Sequence, residues 1–236
     1  MEISHRVFAT PAEVARAAAE EWVRASAEAI AARGKFIVAL SGGSTPKTLY
    51  TLLASNEWRD RVDWKKVEVL FGDERCVPPE HADSNFRMAN EALLSHVPAR
   101  VHRIEGELAP EEAARRYEPL VRSLSPIDLV LLGMGADGHT ASLFPGTPAV
   151  LEQTHLVTPV FVEKLNAWRI SLTLPVINAA REILPLVTGA EKADKVRAVL
   201  DADSKEMFPI RLVVPQSGRM LWLLDSAAAQ KTQKIS

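Results

Sequence analysis

Asp137 and His139 stand two residues apart, with Gly138 between them and Gly133 and Gly135 just before, where the apolar run Ile127–Leu132 ends. A carboxylate that orients an imidazole makes a general base near neutral pH, because an unperturbed histidine titrates at about 6.5. Glycines let the backbone turn sharply and bring such side chains together at a strand exit. The sequence leaves two readings of Asp137 open: partner of His139, or cap of a helix beginning at Gly138. Gly133-x-Gly135-x-x-Gly138 also matches the dinucleotide-binding fingerprint, with Glu163 as the candidate ribose-binding acid. That reading needs a helix long enough to pack back on the sheet. Pro145, Gly146 and Pro148 leave only Thr140–Phe144 for it, and the motif lies in mid-chain.

A second group is suited to hold an anion. The strand Lys35–Leu40 empties into Ser41-Gly42-Gly43-Ser44-Thr45-Pro46, with Ser44 or Thr45 as helix cap and Pro46 at the first helical position. Free backbone N–H groups, hydroxyls and the positive end of the helix dipole converge in such a loop. No Gly-Lys-Ser/Thr is present, so it is not a Walker A loop; a plain capped helix is the bland alternative. Asp73, Glu74 and Arg75 follow Gly72 at the exit of the strand Val67–Phe71, where ligands bind in open α/β sheets and where a solvated turn would also sit. Arg169 opens a strand. Lys192 falls in the first turn of a helix after Thr188-Gly189, an end that disfavours cations unless an anion is bound there. Cys76 reads as an apolar filler, and His5, His96, His102 and His155 as surface or satisfied core histidines.

Stepping outward, these residues need a layered scaffold. Thr10-Pro11-Ala12-Glu13 is a capping box that opens a helix over 10–33, closed by Gly34. Further helices are predicted over 86–94, 110–124 and 175–180. Strands are predicted near 101–104, 155–162, 168–174, 182–187 (despite Pro185), 211–214 and 220–224, with a polar, frayed tail from Ala227. Alternating strands and helices predict an α/β fold with a mostly parallel sheet, in a single domain spanning 1–236. At 236 residues, 47% hydrophobic and 25% charged, the chain can bury a substantial core. A net charge of -2 without a basic run points away from nucleic acid, and a single cysteine excludes an intramolecular disulfide framework. Met1–Arg6 lacks the apolar core of a signal peptide and no apolar run reaches about 18 residues, so the expectation is a cytoplasmic protein with no membrane partner.

Together, Ser-Gly-Gly-Ser-Thr-Pro at 41–46, Gly-Asp-Glu-Arg at 72–75, Asp-Ser-Asn at 83–85 and Gly-x-Asp-Gly-His-Thr-Ala-Ser-Leu-Phe-Pro at 135–145 resemble the 6-phosphogluconolactonases. Arg-Ile-Ser-Leu-Thr-Leu-Pro at 169–175 and Thr-Gly-Ala-Glu-Lys-Ala at 188–193 fit as well, and the resemblance runs over about 35–225. It implies a Rossmann-like three-layer αβα sandwich, shared with glucosamine-6-phosphate deaminase, and hydrolysis of 6-phospho-D-glucono-1,5-lactone. It implies no metal or organic cofactor, and a small sugar-phosphate lactone as the partner of a monomer or small homo-oligomer. On the matching positions, His139 is the expected base, Asp137 its partner and Arg75 the group that polarises the carbonyl. Asp73 is expected to position hydroxyls or Arg75, and Gly42, Gly43, Ser44, Thr45, Arg169 and Lys192 to bind substrate, chiefly its phosphate. The deaminases carry a glutamate that assists ring opening where this chain has Phe144, which favours ester hydrolysis over deamination. A sugar-phosphate sensor is the non-enzyme alternative, but no basic helix-turn-helix segment accompanies the motifs.

Overall fold

Phe36–Leu40 and Leu129–Leu132 are buried at every position, as strands covered on both faces must be. The computed structural model describes residues 2–201, 203–204 and 206–232. Its strands are β1 (Glu2–Phe8), β2 (Phe36–Leu40), β3 (Val67–Phe71), β4 (Asp73–Arg75), β5 (Arg100–Val101), β6 (Leu129–Leu132), β7 (Val157–Val162), β8 (Ala167–Leu172), β9 (Glu182–Val187) and β10 (Arg219–Asp225). Its α-helices are α1 (Pro11–Arg33), α2 (Ser44–Ala54), α3 (Asn56–Arg59), α4 (Asn85–Ala92), α5 (Pro110–Leu124), α6 (Leu174–Asn178), α7 (Ala193–Leu200) and α8 (Ser226–Ala229).

Seven strands form one parallel sheet in the order β1-β10-β9-β6-β2-β3-β5, flanked by helices, which is the mostly parallel α/β architecture expected. The capping box at Thr10 is present with both of its hydrogen bonds, and Gly34 closes α1 in the left-handed region. Val14, Ala18, Trp22, Ala25 and Ala29 turn to the core, where Trp22 meets Phe36 edge-on at 5.7 Å and Trp64 at 5.9 Å. Cutting Trp22 back to alanine would cost about 3–5 kcal/mol. Pro185 is accommodated inside β9 because the β9–β10 ladder pairs at 182, 183, 186 and 187 and passes over Leu184 and Pro185, where the missing N–H would be needed.

The chain leaves β2 toward β3 and leaves β6 toward β9, in opposite directions from adjacent strands. The loops that follow β2 and β6 therefore diverge at their carboxyl ends, and a crevice opens there. Both sequence-selected loops, 41–46 and 133–139, lie on its two sides.

Several local expectations change. Beside the large sheet stands an antiparallel one, β4-β8-β7, which the alternation of elements did not predict. Backbone from β3 runs straight into it: Gly72 N–H still bonds Leu40 O of β2, while Gly72 O accepts from Leu172 N at 2.8 Å. β1 is an additional strand at the edge of the large sheet. Residues 209–212 form a 3-10 turn rather than a strand, since Pro209 starts a turn whose Ile210 N–H is drawn to Gly138 O. Helix α2 has its N-cap at Gly43, one residue before Ser44 and two before Thr45, the two expected caps. The tail expected to be frayed from Ala227 is ordered as α8, with Ala228 and Ala229 buried and Asp225 as its cap; residues 233–236 of that tail lie outside the described residues.

Candidate active site

No helix follows Gly138. Thr140 and Leu143 bridge each other and Ala141 sits at φ 46°, so residues 140–144 make an irregular turn. This removes both the nucleotide-fingerprint reading, which needs that helix, and the reading of Asp137 as a helix cap. Asp137 Oδ1 instead lies 2.5 Å from His139 Nδ1 and accepts from the His139 N–H at 3.2 Å. Gly135 makes that turn possible: its N–H donates to His139 O at 2.9 Å, and a Cβ at 135 would overlap the imidazole ring. With the carboxylate at Nδ1, the proton of neutral His139 resides there and the Nε2 lone pair is left available. Nε2 carries no hydrogen bond among the described residues.

The imidazole is backed by Phe144, stacked at 4.0 Å and 24°. Burial drives the His139 pKa below its ordinary value, outweighing the opposing pull of Asp137. Burial alone would raise Asp137, but hydrogen bonds from Lys164 and His139 hold its carboxyl well below the usual range. Both shifts favour the same pair, an ionised carboxylate beside a neutral imidazole.

The small sheet supplies the neighbouring charges. Directly opposed residues of an antiparallel pair share a face, so the registers Asp73↔Ser171 and Arg75↔Arg169 put all four on one side of β4–β8. Glu74 falls on the other side, buried, where it accepts from Ser84 Oγ, Asn85 N and Phe86 N and locks the start of α4. Arg169 lies 5.7 Å from the Phe144 ring, and its pKa is lowered by burial. Arg75 Nη1 donates to Asp83 O at 2.5 Å. The Nε atoms of both arginines are buried without a partner among the described residues. Asp73 does not bond Arg75. It accepts instead from Ser142 Oγ at 2.6 Å and Asn85 Nδ2 at 3.2 Å, which pins the turn after His139 to the base of α4.

Across the crevice, Gly42, Gly43, Ser44 and Thr45 lie at the start of α2. Thr45 Oγ1 is 2.7 Å from Thr188 Oγ1, so the loop after β9 closes on the loop after β2. Lys192 ends the 3-10 turn Ala190–Lys192 that leads into α7, immediately before the helix rather than inside its first turn. Gly42 packs so closely on Asn85 that any Cβ there would overlap the Asn85 amide. The selected residues thus form two clusters: Asp137, His139, Asp73, Arg75 and Arg169 on one side, and Gly42, Gly43, Ser44, Thr45 and Lys192 on the other. The contacts of Arg169 are with the first.

Sequence reasoning passed over Lys164, Ser142, Thr188 and the bridging part of Asn85. Ser142 and Thr188 lie inside the motifs at 135–145 and 188–193, and their hydroxyls were the signal that could have found them. Lys164, in the turn between β7 and β8, carried no local signal. Its Nζ meets Asp137 Oδ2 and sits 4.8 Å from the Phe144 ring.

Residues 9–222 match the model of the family described as glucosamine-6-phosphate isomerases/6-phosphogluconolactonase. A 6-phosphogluconolactonase of Synechocystis sp. is 41% identical, covering 86% of this chain and 87% of its own length. A probable chloroplastic 6-phosphogluconolactonase of Oryza sativa subsp. indica is 37% identical over 97% of this chain and 76% of its own. Among solved structures, 6-phosphogluconolactonase from Trypanosoma brucei superposes with a TM-score of 0.89 at 29% identity, covering 100% of this chain and 99% of that one.

Proposed function

Because this chain belongs to the glucosamine-6-phosphate isomerase/6-phosphogluconolactonase family, we propose that the two clusters together hydrolyse 6-phospho-D-glucono-1,5-lactone to 6-phospho-D-gluconate. The observation that carries the reading is the Asp137–His139 contact, which leaves Nε2 as a base directed away from its carboxylate partner. His139 Nε2 takes a proton from water as the water oxygen bonds to the lactone carbonyl carbon. The carbonyl oxygen becomes an oxyanion, beside which Arg75 supplies positive charge. When the tetrahedral carbon collapses, the ring C–O bond breaks and the imidazolium returns the proton to the departing ring oxygen, giving the open-chain acid. Asp137 steadies the imidazolium without taking its proton, as in triad chemistry without a nucleophilic serine. Asp73 holds the turn in place through Ser142.

Gly43, Ser44 and Thr45 at the start of α2, with Gly42 shaping the loop, receive the 6-phosphate, and Lys192 and Arg169 neutralise it. The whole chain acts as one domain, with a small sugar-phosphate lactone as its partner, as a cytoplasmic monomer or small homo-oligomer. No helix among the described residues is long and apolar enough to cross a membrane. Phe144 against the imidazole weighs against deamination, since it presents a hydrocarbon face where ring opening needs an acid. A coupled assay tests the reading: glucose-6-phosphate dehydrogenase generates the lactone, and 6-phosphogluconate formation is followed above the spontaneous background. Acceleration is expected with this protein present. No acceleration, or ammonia release from glucosamine 6-phosphate, would overturn the assignment.

A further inference from the structure

The turn between β7 and β8 reaches over the dyad. Glu163–Leu165 form a 3-10 turn, Asn166 takes the left-handed conformation at φ 45°, and Asn166 N–H closes on Glu163 O at 3.0 Å. Lys164, at its tip, makes two contacts with the side that carries the dyad. Its ammonium binds Asp137 Oδ2, the carboxylate oxygen that His139 does not use, and lies over Phe144, the ring on which the imidazole is stacked. A cavity of about 690 Å³ lies alongside, lined by Asp137, Phe144, Lys164 and Trp168.

We propose that Lys164 is a positioning residue of the dyad: its ammonium anchors Asp137 Oδ2 so that Oδ1 faces His139 Nδ1, and it holds a positive charge against the aromatic support of the imidazole. The inference rests on the proposed hydrolysis for its kinetic readout but not for its spectroscopic one. A shared carboxylate is a weaker partner for imidazolium than an undivided one, and a cation nearby disfavours the charged ring further. Lys164 therefore keeps His139 neutral, and so able to accept a proton, at lower pH. The other charges facing the dyad are Asp73 from β4, which favours imidazolium, and Arg169 from β8, beyond Phe144. Glu152 and Glu163 line the cavity, and Lys195 of α7 covers Phe208, the ring packed against Gly138. None of these cations contacts Asp137.

The test follows the His139 ring-proton resonance against pH in the wild type, Lys164→Met and Lys164→Arg, with the resonance assigned by its loss in His139→Gln. In Lys164→Met the midpoint should rise by about 0.5–1 unit, limited by solvent screening of a side chain that is half exposed. The acid limb of kcat/KM should rise by the same amount, and Lys164→Arg should restore both. An unmoved midpoint in a folded Lys164→Met protein would overturn the proposal, as would a uniform drop in kcat at every pH with the limb unchanged. A raised midpoint in a protein without lactonase activity would sustain the role of Lys164 and defeat the proposed reaction instead.

Discussion

The two sides of the crevice are built by opposite means. The side proposed to receive the phosphate is nearly all backbone and hydroxyl, delivered by strand-to-helix junctions of the parallel sheet: β2 into α2, β9 into the turn before α7. The chemistry side is nearly all side chain, delivered by an irregular turn and by a small antiparallel sheet with a three-residue strand. The difference follows from what each must do. A phosphate dianion is large and symmetric, and is held by an array of N–H groups that any well-capped junction supplies. Proton transfer needs one nitrogen closely placed, so the imidazole and the turn that carries it are fixed by side-chain contacts from Asp137, Phe144 and, through Ser142, Asp73.

The largest effect expected from this division is on turnover. His139→Ala should lower kcat by ~10²–10⁴ with modest change in KM, measured above spontaneous hydrolysis; near-normal turnover would remove His139 from the mechanism. Asp137→Asn should follow at about a hundredfold in kcat, because the amide can donate to Nδ1 and turn the imidazole lone pair away from the substrate. If KM bears that loss instead, Asp137 belongs to substrate binding. Arg169→Ala tests the boundary, since its contacts lie on the chemistry side while its assigned ligand lies on the other. We expect KM to rise about tenfold or more with kcat little changed, the signature of a group that touches a remote phosphate. A fall confined to kcat would move Arg169 to the oxyanion. The smallest effect is in pH: the acid limb of kcat/KM should lie below the ordinary imidazole value of about 6.5, because burial favours neutral His139 and protonation switches the base off only as pH falls through that lowered value. A limb above 6.5 would mean that the hydrogen bond to Asp137 outweighs burial.

The same contrast explains what could be read in the sequence. Apolar runs ending in glycine, and caps such as Thr10 with Glu13, announced β2, β3, β6, α1 and α2, because local pattern decides those elements. The loop 41–46 came with them, being a junction of two such elements. β4 escaped, since Asp73-Glu74-Arg75 has no apolar alternation and is a strand only through its pairing with β8. β1 escaped because Ile3 and Val7 remain substantially exposed at the sheet edge and the pattern around them is polar. The strand predicted at 211–214 reflected Leu212, Val213 and Val214, but Ile210 is claimed by Gly138 O, a contact 72 residues away that no window contains. Asp137 and His139 were legible as residues, whereas their geometry was not: a helix cap and a hydrogen-bonded pair begin with the same letters. Lys164 gave no sign, since a lysine in a polar hairpin is the commonest of surface features.

Gly42, Asn85, Asp73 and Ser142 touch in succession, from the loop under the expected phosphate to the turn that carries the imidazole. This sets a rule for how such a site can be re-engineered. Ser44 can be exchanged to suit another anion with the consequences confined to recognition, whereas Thr45 also holds the loop after β9 through Thr188. Position 42 cannot, because a methyl group there would displace Asn85 and be felt, two contacts later, at the turn that follows His139. The crevice has two walls that can be redesigned separately, hinged at one glycine that cannot.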